Sequence, residues 1–187
     1  MRWHPLVASL LASLLFAAPV AAAPGWTLVP EKSRLAFEAR QGTQPIQGSF
    51  ARWTAAIRFD PEDLAGSAVE VEVELASVST GDRNRDQQAQ AREFFDVART
   101  PRARYRTVTF RPRSEGVYEV EALLEMKGIT RPLRHPVRIT IDGDRFLAEG
   151  EARLLRREFR FGEGVFDSEQ ILGPEILVRF AVEARRS

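Results

Sequence analysis

The chain has 187 residues, with 27 Lys and Arg against 26 Asp and Glu, and no cysteine. This length is sufficient for one domain with a substantial core. The balanced charge argues against a nucleic-acid partner, and the lack of cysteine excludes disulfides, thiolate metal sites and a thiol nucleophile.

The first 22 residues have the pattern of a secretory signal peptide. Arg2 precedes an apolar run over residues 6–18 that is too short to span a bilayer comfortably, and small residues follow at positions 20–23. We therefore predict cleavage after Ala22, export to the periplasm or beyond, and a single domain over residues 23–187. An uncleaved N-terminal anchor is the alternative. A lipoprotein anchor is excluded because no cysteine follows the run.

An alternation of apolar and polar residues recurs along the rest of the chain and predicts β-strands. The clearest case is the segment from Val69 to Leu75, in which every second residue is glutamate. Eight such strands are predicted, at about residues 33–40, 52–60, 69–75, 103–110, 117–126, 133–141, 145–155 and 176–183. Strands of this kind share one apolar face, which a sandwich or a closed barrel can bury. Eight is the number at which an antiparallel barrel either fills its interior or holds one small ligand.

The pattern breaks between the third and fourth predicted strands. Residues 82–95 are polar and rich in Gln, Arg and Ala, which predicts a short helix. Asp82 or Asp86 could cap this helix, and its last turn would direct Phe94 and Phe95 onto the sheet. These two rings could plug one end of the barrel or line its interior.

The fourth predicted strand has an irregular parity. Tyr105 is predicted on one face, whereas Val108 and Phe110 are predicted on the other. One extra residue in a strand resets which face the side chains occupy, so a bulge is expected near Thr107.

The predicted inward face carries small residues where a packed barrel would need bulk. They are Ala39, Ala122, Ala148, Gly150 and Ala152. Either larger neighbours such as Phe37, Tyr118 and Phe146 fill the space, or a lumen remains. Periodicity alone leaves both arrangements open.

The order of short motifs resembles the YceI-like family from Trp26 to about Arg185. The most specific motifs are Ser77 to Gly81, Arg85–Asp86, Phe94–Phe95–Asp96, and Pro101 with Ala103. Further matching segments are Trp26–Leu28, Gly48–Phe50, Phe59–Pro61, Leu124–Pro132 and Phe161–Gly162. The chain departs from the family pattern at Ser79, where Asp is common. The resemblance implies an exported, lipocalin-like, eight-stranded antiparallel barrel with an elongated apolar cavity for a polyisoprenoid or similar amphiphile.

We expect the lumen-lining side chains to provide shape and desolvation. The predicted set is Phe37, Phe59, Val71, Val73, Phe94, Phe95, Tyr105, Leu124, Met126, Val137, Ile139, Phe146, Phe161 and Phe180. Arg85, Asp86 and His135 are candidates for contact with a ligand head group. Local capping and ion pairing explain Arg85 and Asp86 equally well, and a hydrogen-bonded core residue is the alternative for His135.

The sequence predicts no catalytic and no metal-binding residues. His135 is the only histidine after the N-terminal segment, so neither a histidine metal cluster nor a Ser-His-Asp triad with a spare base can form. The glutamates at 70, 72 and 74 are predicted on the solvated face of their strand. Arginines also alternate on the fourth strand and its flanks, at Arg99, Arg102, Arg104, Arg106, Arg111 and Arg113, where a solvated face or a membrane-surface role would explain them.

The predicted function is an exported binding protein, not an enzyme, that sequesters or carries a long-chain isoprenoid amphiphile such as a polyprenyl lipid or a quinone. No cofactor is predicted beyond this non-covalent lipid. The sequence is compatible with transient membrane-surface contact and with a homodimer. The alternative is a filled barrel that acts as a protein-interaction or envelope-stress module through its arginine-rich surface.

Overall fold

The computed structural model describes residues 23–187, so the predicted signal peptide lies outside the described part. The strands are β1 (Gly25–Leu28), β2 (Arg34–Gln41), β3 (Gln44–Phe50), β4 (Trp53–Arg58), β5 (Ala68–Glu74), β6 (Val78–Ser79), β7 (Arg102–Ser114), β8 (Val117–Met126), β9 (Ile129–Asp142), β10 (Arg145–Leu155) and β11 (Glu175–Arg186). The helix α1 covers Arg83–Gln90, and short 3-10 turns cover Pro30–Lys32, Leu75–Ser77, Arg156–Phe159 and Gly164–Phe166. Within this part of the chain, no helix is both long and apolar enough to cross a membrane.

The strands form one antiparallel barrel. The order β1-β4-β5-β7-β8-β9-β10-β11 closes because β11 pairs back onto β1, with Trp26 opposite Arg186. The segments β2, β3 and β6 continue β1, β4 and β5 beyond short breaks in the chain, and β2 pairs with both β11 and β3. The eleven segments described are therefore eight long strands, three of them interrupted. The predicted all-β fold, an eight-stranded antiparallel barrel with a short helix between its third and fourth strands, is confirmed.

The sequence did not predict β1, β3 and β6. The first and last of these are short, and β3 contains Pro45 and Gly48, which are both unfavourable in a strand interior. Gly48 is opposite Phe37 on β2, and the Phe37 ring occupies the space that a side chain at position 48 would need. The glycine that obscures the pattern of β3 is thus required by the ring packed on it.

The expected bulge in β7 is present. The register with β8 shifts between Thr107 and Thr109, and the intervening Val108 is 60% exposed. Tyr105 lines the interior and Phe110 is buried, so both rings lie inside the barrel. The prediction that Val108 shares the face of Phe110 is wrong, because Val108 is the extra residue at the bulge.

The helix is shorter than predicted and ends at Gln90. Asp82 caps it by accepting a hydrogen bond from the Arg85 backbone N–H at 3.0 Å. Phe94 and Phe95 lie in the turns that follow, where the Phe95 N–H donates to the Ala89 carbonyl at 3.0 Å.

An aromatic plug closes one end of the barrel, built from Trp26, Phe59, Phe110, Tyr118 and Phe146. The Phe59 ring is fully buried and makes edge-to-face contacts with Phe110, Tyr118 and Phe146 at centroid distances of 5.3, 5.3 and 5.9 Å. The Trp26 indole Nε1–H donates to the Phe59 carbonyl at 3.0 Å. Each ring pair adds about 0.5–1.5 kcal/mol beyond its buried area, so the plug is a stable end wall.

The arginine-rich strand faces outward and pairs with glutamates on its neighbours. Arg102 and Arg104 contact Glu72 at 2.8 and 3.2 Å, and Arg113 contacts Glu119 at 2.7 Å. These arginine side chains are more than half exposed, so each pair contributes at most about 1 kcal/mol to stability. The placement supports the solvated-face interpretation.

Candidate binding cavity

An apolar cavity of about 310 Å³ occupies the barrel interior between the plug and the opposite rim. Its lining on β10 extends from Leu154 to Phe146. That distance is about 27 Å along the strand at ~3.4 Å per residue, and about 20 Å along the barrel axis at a strand tilt of roughly 40°. The cavity is therefore elongated, and its volume lies at the lower end of the range for small-molecule sites.

The predicted lumen residues lie on the cavity lining with one exception. All of them except Phe59 line the cavity. Phe59 lies in the plug, because alternation assigns a residue to the inner face without giving its depth.

Several lining residues were absent from the prediction. The missed residues on β2, β4, β5 and β11 lie on strand faces that the alternation already predicted to point inward. Those on β3 and in the rim loop lie in segments whose sequence does not alternate. They include Leu35, Ile46, Phe50, Trp53, Ile57, Val69, Phe166, Ile171, Leu172, Ile176, Val178 and Val182.

The small inward residues have two different roles. Ala39, Ala148 and Ala152 border open space in the cavity. Gly150 instead accommodates the Phe180 ring, since a Cβ at position 150 would lie 2.7 Å from the Phe180 Cζ atom. Ring packing and an open lumen therefore coexist in this barrel.

Phe94 and Phe95 both line the cavity at the end opposite the plug. The Phe95 ring contacts Phe50 and Phe161 with centroids 5.8 and 5.2 Å apart, and Phe94 contacts Phe166 at 5.1 Å. The segment after α1 thus forms part of the wall at the open end of the barrel. The closed end is formed by the aromatic plug, to which Phe94 and Phe95 do not belong.

A buried arginine that the prediction missed organises the loop at the open rim. The Arg156 side chain is 0% exposed and donates five hydrogen bonds of 2.7–3.4 Å to main-chain carbonyls, those of Phe161, Gly162, Asp167, Leu172 and Gly173. This network ties residues 156–173 into one unit. Ala152 and Leu154 face inward at every second position, and Arg156 is the next residue in that series. The same alternation could therefore have indicated that the Arg156 side chain points inward.

Polar side chains line the cavity near α1. Arg85 donates from Nε to the Thr80 hydroxyl at 3.0 Å and from Nη2 to the Thr80 carbonyl at 3.4 Å, and Gln88 also lines the cavity. Asp86 accepts from the Thr80 N–H and hydroxyl at 2.7 Å each and is not part of the lining. Arg85 thus lies on the cavity lining, whereas Asp86 holds the loop.

A polar pair lies midway along the cavity. The Tyr105 hydroxyl is 2.8 Å from His135 Nε2, and His135 Nδ1 is 3.1 Å from the Pro136 carbonyl oxygen. Burial lowers the pKa of His135 and raises that of Tyr105, so both groups are neutral near pH 7. His135 is therefore a hydrogen-bonded core residue that also lines the cavity, and its contact with a ligand head group stays a prediction.

Among residues 23–187, no group of three or more His, Asp or Glu side chains is placed to hold a metal ion. Glu183 is buried at the β11 seam, where contacts from Arg145 at 2.8 Å and Lys32 at 3.4 Å lower the pKa of its carboxyl group.

A model of the YceI-like domain matches residues 26–184. The chain belongs to the YceI-like family. Curated relatives are UPF0312 proteins. One from Pseudomonas savastanoi pv. phaseolicola is 28% identical over 99 residues, which cover 53% of this chain and 50% of the relative. One from Yersinia enterocolitica is 27% identical over 135 residues, covering 71% and 70%. The match thus spans about half the length of the Pseudomonas relative.

Solved structures share the fold of this YceI-like chain. BcnA of Burkholderia cenocepacia superposes with a TM-score of 0.81 at 24% identity, over 84% of this chain and 99% of BcnA. A domain from Saccharophagus degradans, described as polyisoprenoid binding and implicated in plant cell wall breakdown, gives 0.71 at 14% identity, over 88% and 99%. The YceI protein of Campylobacter jejuni gives 0.70 at 21% identity, over 79% and 89%. At these identities the likeness shows the fold alone.

Proposed function

We propose that this protein is an exported binding protein that holds the tail of a long-chain isoprenoid amphiphile in its barrel. The observation that carries the proposal is the apolar cavity of about 310 Å³ that extends from the rim to the plug. Family membership and the polyisoprenoid binding domain from Saccharophagus degradans support the same ligand class. In this proposal the protein sequesters or carries its lipid and catalyses no reaction.

The affinity would come from burial of the tail. Each buried methylene contributes about 0.8 kcal/mol, so a five-carbon isoprene unit contributes roughly 3 kcal/mol after some loss to imperfect contact. Ordering the flexible chain and losing its translational freedom offset part of this gain. Several units nevertheless suffice for useful binding without a specific hydrogen bond, and such a site tolerates different tails.

The cavity supports ligand binding over the alternative of an interaction module with a filled interior. Ala148 and Ala152 border space that no side chain of the described residues occupies. The paired arginines on β7 supply no comparable argument for a protein partner, because glutamates on the neighbouring strands already pair with them.

Export remains part of the proposal. The signal-peptide pattern of residues 1–22 supports it, and cell fractionation with N-terminal sequencing of the purified protein tests it. A mature chain that begins at Ala23 is expected in the envelope fraction. A chain that retains residues 1–22 would contradict the proposed processing.

The ligand proposal is tested with protein purified from its own source. Native mass spectrometry is expected to show one bound lipid per chain, and organic extraction followed by mass analysis is expected to identify an isoprenoid. Protein that is recovered without ligand and fails to bind an added polyprenol would contradict the proposal.

A further inference from the structure

Four residues form a belt midway along the cavity, which we call the waist: Tyr105, His135, Gly150 and Phe180. On β9, His135 lies between Leu133, which packs against the rim cluster, and Val137, which belongs to the plug cluster. The Phe180 ring stands edge-on to His135 with centroids 5.6 Å apart and covers Gly150. Tyr105, His135 and Phe180 all line the cavity, so the waist places a polar pair inside the barrel, apart from the polar side chains near α1.

The positions of the protons at the waist follow from hydrogen-bond chemistry. A carbonyl oxygen can only accept, so the Nδ1 atom of His135, 3.1 Å from the Pro136 oxygen, must carry the proton. In a neutral imidazole the other nitrogen then has a free lone pair. The Tyr105 hydroxyl, 2.8 Å from His135 Nε2, must therefore donate its only proton to the histidine.

This assignment determines what Tyr105 can offer to a ligand. Its oxygen keeps acceptor capacity but has no proton left to donate. Within residues 23–187, His135 is the one hydrogen-bond partner of this hydroxyl. A ligand hydroxyl or amide N–H could bond to Tyr105 without disturbing the pair, whereas a carbonyl or ether oxygen could do so only if Tyr105 left His135 Nε2 unpaired.

We propose that the waist is a hydrogen-bond acceptor site that selects lipids carrying a hydroxyl or amide N–H donor over lipids whose polar group is only a carbonyl or ether oxygen. The inference rests on the proposed function and makes it more specific. It favours a prenyl alcohol over a quinone at this depth of the cavity.

The test compares two ligands with the same tail, geranylgeraniol and its methyl ether. The full-length protein is expected to bind the alcohol about three- to tenfold more tightly, which is the effect of one net hydrogen bond. Equal affinities would overturn the inference and leave the proposed function intact. Failure of both ligands to bind would instead contradict the proposed function.

Two variants should remove the preference in different ways. Tyr105→Phe alone would expose the lone pair of His135 Nε2, so the double variant Tyr105→Phe with His135→Leu is needed to remove every acceptor at the waist. In this double variant the alcohol is expected to lose its three- to tenfold advantage while the affinity of the ether stays unchanged. His135→Leu frees the Tyr105 proton, so the ether is expected to gain affinity while the alcohol keeps its own. A purely structural pair would change the melting temperature without changing the ratio of the two affinities.

Thr107 provides the control for the source of the preference. It lies two residues from Tyr105, lines the cavity and accepts a hydrogen bond from the Val69 N–H at 2.9 Å. The inference expects Thr107→Val to retain the preference for the alcohol. A preference that is lost in Thr107→Val but persists in the double variant Tyr105→Phe with His135→Leu would assign it to the threonine and overturn the inference.

Discussion

Filling the cavity with a protein side chain should remove ligand binding without unfolding the barrel, and Ala148→Phe is the most direct way to do so. Ala148 is opposite Val182 on one neighbouring strand and Ile139 on the other, and all three residues line the cavity. A phenyl ring at this position would project into open space, where a methyl group now borders it.

The expected loss of affinity follows from the size of the ring. A cavity of about 150 Å³ accommodates a benzene molecule, so one added phenyl ring takes up to about half of the 310 Å³ available. If it displaces one isoprene unit, the loss is roughly 3 kcal/mol, or more than 100-fold in Kd. Because the ring enters a void, we expect a smaller effect on folding than the ~1–3 kcal/mol typical of an overpacked core.

Binding can be followed through Trp53, which lines the cavity, during titration with geranylgeraniol. Ala181→Phe is the matched control, since Ala181 lies on β11 next to Val182 and is exposed on the outer face. Ala122→Phe is a second comparison, because Ala122 is buried outside the cavity lining and the ring should chiefly destabilise the fold. Unchanged affinity in a folded Ala148→Phe variant would refute the claim that the ligand lies in the cavity.

Three further outcomes follow from the structure. Arg156→Leu leaves buried carbonyls without donors and is expected to cost about 3 kcal/mol or more, with faster hydrogen exchange over residues 156–173, and Arg156→Lys should recover part of the loss. Phe59→Ala removes the centre of the plug and is expected to lower the free energy of unfolding by about 3–5 kcal/mol in a denaturant titration. Because burial lowers the pKa of His135, the unfolded chain binds a proton at a higher pH than the folded one, so stability should fall as the pH decreases below about 6.5. His135→Leu should flatten this part of the pH profile, and an unchanged slope would contradict the assignment.

Alternation was enough to assign side chains to the inner face of the regular strands, although it failed for Val108 at the bulge of β7. On β9 the inward positions of His135, Val137 and Ile139 all follow from period two. Alternation did not give the position of a side chain along the barrel axis. It placed Phe59 in the lumen, whereas Phe59 lies in the plug. Periodicity describes a strand on its own, whereas depth depends on the register of the neighbouring strands.

Neither the volume of the cavity nor the structure of the rim loop could be predicted from the sequence. Whether a small residue leaves space depends on a partner across the sheet: the Phe180 ring covers Gly150, whereas Ala148 borders the cavity. The rim loop, residues 156–173, has no periodic sequence pattern. Arg156 fixes this loop by hydrogen bonds to main-chain carbonyls, and because every residue has a carbonyl, these bonds require no particular side chains in the loop.

The central claim is that an isoprenoid tail lies inside the barrel, and photolabelling tests it most directly. A prenyl alcohol with a diazirine in its tail would be irradiated on the full-length protein, and the labelled residues mapped by peptide mass spectrometry. We expect labels on cavity residues such as Val71, Leu124 and Val137, and their loss in Ala148→Phe. Labels confined to the outer face of the strands, with the cavity residues unmodified, would contradict the account.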